Sequence, residues 1–212
     1  MRLYDSFRAP NPRRVRWFLA EKGAEDRVEI VTLDVFKGEH RTPEYLAKTG
    51  LRHVPALEME DGVTITESVA ICRYLESVFP EPNLFGRDPR EVAVIEMWSR
   101  RVEMMLATPL MLAVRHSHPA LAALETQVPE IAESNRAGAE KTIAFFDRRL
   151  GESEFIAADR VTMADILAAT AIDFSRMAKF RIPEELANAR RWYEAMMARP
   201  AATAGQERPA GG

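Results

Sequence analysis

The sequence predicts two domains of different class, an α/β unit over residues 1–79 and an all-helical unit over residues 91–200. Three observations carry this. Up to about residue 79, short β-type apolar runs alternate with helical patterns, the mark of a small α/β unit. A linker over residues 80–90 then breaks both patterns, its PEPNLFGRDP holding three prolines and a glycine. Beyond it every apolar pattern has helical spacing.

The elements follow in order. RLY reads as the first strand, and Arg13 to Lys22 as a helix with Val15, Phe18 and Leu19 on one face and Gly23 as its stop. VEIVTLDV, Val28 to Val35, reads as the second strand, followed by a short helix around Thr42 to Ala47. ALEME, Asp61-Gly62 and VTIT predict a hairpin, because Asp-Gly supplies the positive φ angles of a tight two-residue turn. A helix from Glu67 to Val78 should bury Val69, Ile71, Tyr74 and Leu75. In the second domain, Glu91 to Ala113 places Val92, Ile95, Trp98, Val102, Met105 and Leu106 at three- and four-residue spacing. Glu130 to Leu150 and Met163 to Lys179 are the next helices; RVTMADI starts the latter with a capping pair, Thr162 and Asp165. The last helix, Pro183 to Ala198, opens with proline in its first turn. Residues 201–212, AATAGQERPAGG, hold little to bury and are expected to be a disordered tail.

Composition limits the function. A chain of 212 residues with 47% hydrophobic and 29% charged residues and a net charge of −3 has no basic excess for nucleic acid or an anionic membrane. No long apolar run opens the chain, so neither a leader nor a membrane span is expected, and a cytoplasmic protein follows. The single cysteine, Cys72, excludes an internal disulfide and reads as a small buried apolar residue; with four histidines it makes no zinc pattern, so no metal is expected.

Three segments carry chemistry. In the turn SFRAPNPRRV the x-Pro-x-x core, Ala9 to Pro12, stands where thioredoxin-like folds carry Cys-Pro-x-Cys. Dithiol exchange needs both sulfurs, so with Ala9 and Pro12 in those positions it is excluded. Val54-Pro55 opens the third strand, and a cis bond there would turn the main chain of Val54 outward, where an extended peptide can pair with it. Thr66-Glu67-Ser68 opens a helix whose free N–H groups and Ser68 hydroxyl form an anion site, with the Glu67 carboxylate beside it for an ammonium. Carboxylate, ammonium and pairing strand together suit an amino-acid-like terminus. Taken singly, HVPAL is also an ordinary strand and SVAICRYL an ordinary amphipathic helix; their order and spacing are what make a constellation.

In that order, LYDSFRAPNPRRVRWFLAEKG, FKGEHRTPEYLAKTG, HVPALEMEDG, TESVAICRYLE and VTMADI resemble the cytosolic glutathione transferase family over about residues 1–200, most of all its bacterial and fungal GTT2-like subgroup. The resemblance implies a thioredoxin-like N-terminal domain, an all-α C-terminal domain, a homodimer, and a glutathione site at the domain junction. It gives Val54 the main-chain pairing with the cysteinyl part of glutathione, Pro55 its geometry, and Glu67 and Ser68 the γ-glutamyl end. Lys37, His40 and His53 match positions used for the glycine carboxylate, although His40 reads equally well as a solvated loop histidine.

The chain departs from the family at the residue that activates the thiol. Most classes place Ser, Cys or Tyr there, and this chain has Ala9. Tyr4 and Ser6 carry hydroxyls but precede the turn, and Asn11 offers an amide that donates without acting as a base. A helix N-terminus lowers thiol pKa values, so Ala9 would leave room for the sulfur to approach the first helix, a water carrying the proton away. His116 is a candidate to hold that water, with Arg100 and Glu103 on the same long helix, and reads otherwise as a charge at a helix end. Met104, Met105, Met111, Phe174 and Met177 read as either the wall of a hydrophobic pocket or core. The expected activity is transfer of glutathione to a small hydrophobic electrophile, with glutathione-dependent peroxide reduction and non-catalytic ligand binding as the alternatives.

Overall fold

A computed structural model describes residues 1–206, which form two compact units: Met1–Asn83 with the described residues from Pro200 on, and Leu84–Arg199. In the first unit, β1 (Arg2–Asp5) is buried from Leu3 onward because it is an inner strand of a four-stranded sheet. It pairs in parallel with β2 (Glu29–Thr32), Asp5 opposite Thr32. On its other side it pairs antiparallel with β3 (Ala56–Glu58), which pairs with β4 (Thr64–Thr66). The helices are α1 (Pro10–Glu21), α2 (Pro43–Thr49) and α3 (Ser68–Val78). Val15, Phe18, Leu19, Ile71, Cys72 and Leu75 are fully buried side chains of α1 and α3. Val69 and Tyr74, expected in that core, are only half-buried.

Several elements depart from their expected bounds. α1 starts at Pro10 rather than Arg13, since proline in a first turn gives up an N–H that has no intrahelical partner. β2 stops at Thr32 because the Asp34 carboxylate accepts the N–H groups of Phe36 and Lys37 and turns the chain. The hairpin loop is a residue longer than the two-residue turn expected: Met59 N–H donates to the Val63 carbonyl, and Gly62 takes φ 84° at the left-handed position.

One buried ion pair ties α1 to α3. The Lys22 ammonium meets Glu76 at 2.6 Å, donates to the carbonyls of Pro80 and Pro82, and lies over the Phe18 ring. The segment expected to be a tail packs instead: Pro200–Thr203 form a short helical turn with Ala201 and Ala202 buried. Arg13, itself buried, donates to the Ala202 carbonyl at 2.8 Å, so a guanidinium on α1 supplies the partner that the small apolar residues could not announce. Residues 207–212 of the expected tail lie outside the described residues.

The second unit contains α4 (Pro89–Val102), α5 (Thr108–Arg115), α6 (Pro129–Glu152), α7 (Met163–Ser175) and α8 (Ala187–Met197). The single helix expected over Glu91 to Ala113 is interrupted by a wider turn, Glu103–Ala107, where Thr108 N–H reaches the Glu103 carbonyl. The cause is Pro109, which has no N–H for the Met105 carbonyl. Ile95, Trp98, Val102 and Leu106 face the core as spaced, while Met105 is 45% exposed. α7 is buried along nearly its whole length, and Asp165 at its start accepts from Ile156 N, Thr162 N, Thr162 Oγ1 and Trp192 Nε1 at 2.8–2.9 Å. The last helix begins at Ala187, four residues after Pro183, whose carbonyl instead closes a turn with Leu186 N–H. The segment expected as a linker carries Leu84 and Phe85 into burial, and Leu84 accepts from Met163 N–H. Among the described residues no helix is long and apolar enough to cross a membrane.

Candidate functional site

Strand register gathers the candidate residues of the first unit. Tyr4 pairs with Ala56 and Ala56 with Thr66, so the chain leaves β1, enters β3 and leaves β4 at one end of the sheet. The parallel pairing of Asp5 with Thr32 brings β2 out at that same end. Four segments therefore emerge together: Ser6–Asn11, the loop with Lys37 and His40, His53–Pro55, and Glu67–Ser68. Sequence positions more than sixty residues apart thus share one edge.

The first segment is a tight corner. Ala9 N–H donates to the Ser6 carbonyl at 3.1 Å, and Arg8 adopts φ 58°, a left-handed value unusual for a side-chain-bearing residue. Ala9 is then the extended N-cap of α1, with no side-chain cap. Of the N–H groups a helix start leaves open, Pro10 and Pro12 have none and that of Ala9 is spent, so the opening turn offers the Asn11 N–H alone. The Asn11 Oδ1 is buried without a protein partner. Beneath the corner, buried Asp5 accepts from Arg16 at 3.0 Å; burial pushes its carboxyl above the usual range, against the pull of Arg16 and of the Ser6 N–H.

The hydroxyls near the turn are not in its service where partners are seen. Tyr4 donates to Glu58 at 2.6 Å, accepts from Lys48 at 3.0 Å and meets Tyr45 edge to face, all on the sheet side facing α2. Tyr45 donates to the His53 carbonyl at 2.6 Å, holding the segment ahead of β3, and burial pushes its own hydroxyl up to about 12. Val54-Pro55 is a cis peptide. Val54 packs on Tyr4, Tyr45 and Ala56, and its main chain lies outside the ladder, which begins at Ala56.

Three basic side chains were expected at the glycine end, and they divide. Lys37 is largely exposed, 3.5 Å from Asp34, and His53 is exposed. His40 is buried, its Nε2 accepting from Arg41 Nε at 3.3 Å and its Nδ1 enclosed without a partner. Burial lowers its pKa, with Arg41 and His53 adding to the effect, so His40 is neutral at pH 7 and carries its proton on Nδ1.

The fourth segment is the counterpart of the first. Glu67 has φ 67° and ψ 116°, stands exposed just ahead of α3 and makes no side-chain cap. Ser68, Val69 and Ala70 all have N–H groups, so α3 opens with its anion-binding donors intact where α1 has one. Ser68 is buried, and its Oγ accepts from the Arg14 guanidinium at 3.4 Å. Arg14 lies outside the expected set because an arginine is ordinarily solvated; its place four residues before Phe18 and three before Trp17, on the buried face, is the signal for it.

His116 belongs to the second unit, where it is buried and its Nδ1 accepts from Val128 N–H at 3.1 Å. Met104, Met105 and Met177 are exposed, and Met111 and Phe174 half-buried, so none of the five is fully buried core. Cys72 is fully buried and burial pushes its thiol up, as suits an inert apolar residue. Among the described residues no three His, Cys, Asp or Glu side chains form a metal-binding group.

Comparison with known proteins decides what these segments belong to. Residues 9–78 match the family model described as Glutathione S-transferase, N-terminal domain, and residues 102–200 that for the C-terminal domain. The chain belongs to the glutathione S-transferase family. Its relatives include Glutathione S-transferase 2 of Saccharomyces cerevisiae, 36% identical over 203 residues that cover 94% of this chain and 87% of that one. Among solved glutathione S-transferases, a domain-containing protein of Marinobacter aquaeolei VT8 superposes with TM-score 0.89 at 40% identity, covering 95% of this chain and 99% of its own. Gtt2 of Saccharomyces cerevisiae superposes with TM-score 0.89 at 36% identity, covering 96% and 99%. The GTT2-like subgroup of the glutathione S-transferases is thus where this chain sits.

Proposed function

We propose that the protein joins glutathione to small hydrophobic electrophiles, activating the thiol with the start of α1 and no side-chain hydroxyl. The single observation that carries this reading is the shared sheet end, which presents one helix N-terminus for a carboxylate, one for a thiolate and a main-chain edge between them. The γ-glutamyl carboxylate takes the α3 N–H groups and Ser68, and its ammonium the exposed Glu67 carboxylate. Val54 pairs with the cysteinyl part, with Pro55 setting its direction, and Lys37 and His53 receive the glycine carboxylate, neutral His40 standing behind them.

With the peptide so held, the sulfur meets the Asn11 N–H. Ala9, lacking any longer side chain, leaves that approach open. The thiol loses its proton to water and the thiolate attacks the electrophilic carbon, forming the carbon–sulfur bond as the leaving group departs with the bonding pair. His116 Nδ1 already accepts from Val128 N–H, so that nitrogen has no vacant lone pair to take a proton. A homodimer and a cytoplasmic detoxifying role belong to the same reading.

The test is the rate of thioether formation from glutathione and an activated aryl chloride. Saturable, glutathione-dependent turnover above the uncatalysed rate supports the reading. Glutathione binding without turnover would overturn it in favour of a binding protein, and turnover confined to an organic hydroperoxide in favour of a peroxidase.

A further inference from the structure

We propose that Arg14 is a positioning residue for the γ-glutamyl carboxylate, acting through Ser68 from the buried side of the α1–α3 contact. The proposal rests on the glutathione reading above and assigns a role to a residue outside the set expected to touch the peptide.

The geometry has three parts. Arg14 is buried, at 4% exposure, and its guanidinium donates to Ser68 Oγ at 3.4 Å. A hydroxyl has one proton and two lone pairs. A cation occupying a lone pair from inside leaves the proton to point outward, and charge-assisted donation polarises the O–H toward a better donor. Secondly, Glu67 does not cap α3, so the N–H groups of Ser68, Val69 and Ala70 are left for a ligand. Thirdly, the positive charge sits behind those N–H groups in a poorly solvated place, where it adds to the partial charge of the helix start.

Placement on α1 gives the arrangement a further consequence. Arg14 lies one turn beyond Asn11, the residue whose N–H faces the sulfur, and spans from that helix to the helix that holds the carboxylate. Loss of its charge should therefore weaken the grip on one end of glutathione and leave the chemistry of the other end intact. This separates a positioning role from a structural one.

The experiment compares wild type with Arg14→Gln and Arg14→Lys, using two thiols: glutathione, and cysteinylglycine, which lacks the γ-glutamyl group. Arg14→Gln should raise KM for glutathione about tenfold or more with kcat little changed, the scale of one lost hydrogen bond to a charged group. Its kcat/KM for cysteinylglycine should stay at the wild-type value. Arg14→Lys, which keeps the charge without the planar fork, should recover part of the loss. In a Ser68→Ala background the further change to Gln should cost much less, because both act on one carboxylate. An equal fall in kcat/KM for both thiols, or full additivity with Ser68→Ala, would overturn the proposal and leave Arg14 a fold residue. Should Arg14→Gln not fold, the Lys variant and the ratio of the two thiols decide alone. A wild-type protein with no glutathione-dependent rate would instead sink the functional reading on which this rests.

Discussion

Replacing Pro12 with alanine should strengthen thiol activation, an unusual direction for a substitution beside a site. α1 opens with prolines at its first and third positions, so its first turn presents the Asn11 N–H alone. Pro12→Ala restores an N–H at the third position, directed along the axis toward the N-terminus, and Ala9 provides no side-chain cap to consume it. A charge at a helix start is worth about 0.3–1 kcal/mol. With about 1.36 kcal/mol to the pKa unit, the thiol of bound glutathione should titrate about 0.2–0.7 pH units lower than in wild type. The assay is the ultraviolet absorbance of the bound thiolate against pH. Losing the proline frees the unfolded chain, so a destabilisation of about 0.4–1 kcal/mol is expected alongside, visible in Tm and separate from the titration. An unchanged or higher thiol pKa, with glutathione still bound, would show that the α1 start is not what holds the thiolate.

Three other outcomes follow from the same contacts. Lys22→Met removes the buried ammonium that meets Glu76 and serves the Pro80 and Pro82 carbonyls, and should cost about 3–5 kcal/mol, read as a Tm lower by about 10 °C in thermal unfolding; a change under 1 kcal/mol would show that the pair is solvated. Arg160, hydrogen-bonded to Glu91 with the Arg87 N–H assisting, holds that carboxyl down at about 2, against an ordinary value near 4.5. A lowered carboxyl pKa gives stability that is complete above 4.5 and lost as pH falls through 2, so wild type should lose more stability over that window than Glu91→Gln, followed by acid unfolding. Tyr4→Phe should leave the thiol pKa and kcat unaltered, since that hydroxyl is engaged by Glu58 and Lys48; a rise in the thiol pKa on titration would return Tyr4 to the site.

The architecture was legible because it depends on patterns that the chain repeats many times over. Asp-Gly, the capping pair ahead of Met163, and the proline-rich break near residue 80 each announce local geometry with little help from tertiary contacts. The local geometry of the candidate site was legible at Val54-Pro55, a cis peptide, and at Ser68, which opens α3, and the strand register brings these segments to one end of the sheet. What escaped was held by partners distant in sequence. Ala201 and Ala202 are buried because Arg13 waits for a carbonyl there, a contact spanning nearly the whole chain. Arg14 looks solvated until Ser68 is placed against it. His40 looks like an open-loop donor until burial encloses its Nδ1. The interruption of the long helix was written in Pro109, but a proline is also compatible with a helix end, and here buried Leu106 and Leu110 stand on either side of it.

The most direct test of hydroxyl-free activation is the thiolate titration of glutathione bound to wild type and to Ala9→Leu, in parallel. Free thiols of this kind titrate near about 8.5. The account predicts a wild-type value well below that of free glutathione, and a return toward it when the leucine side chain blocks the Asn11 N–H. Glutathione bound by the wild type at an unshifted pKa would contradict it.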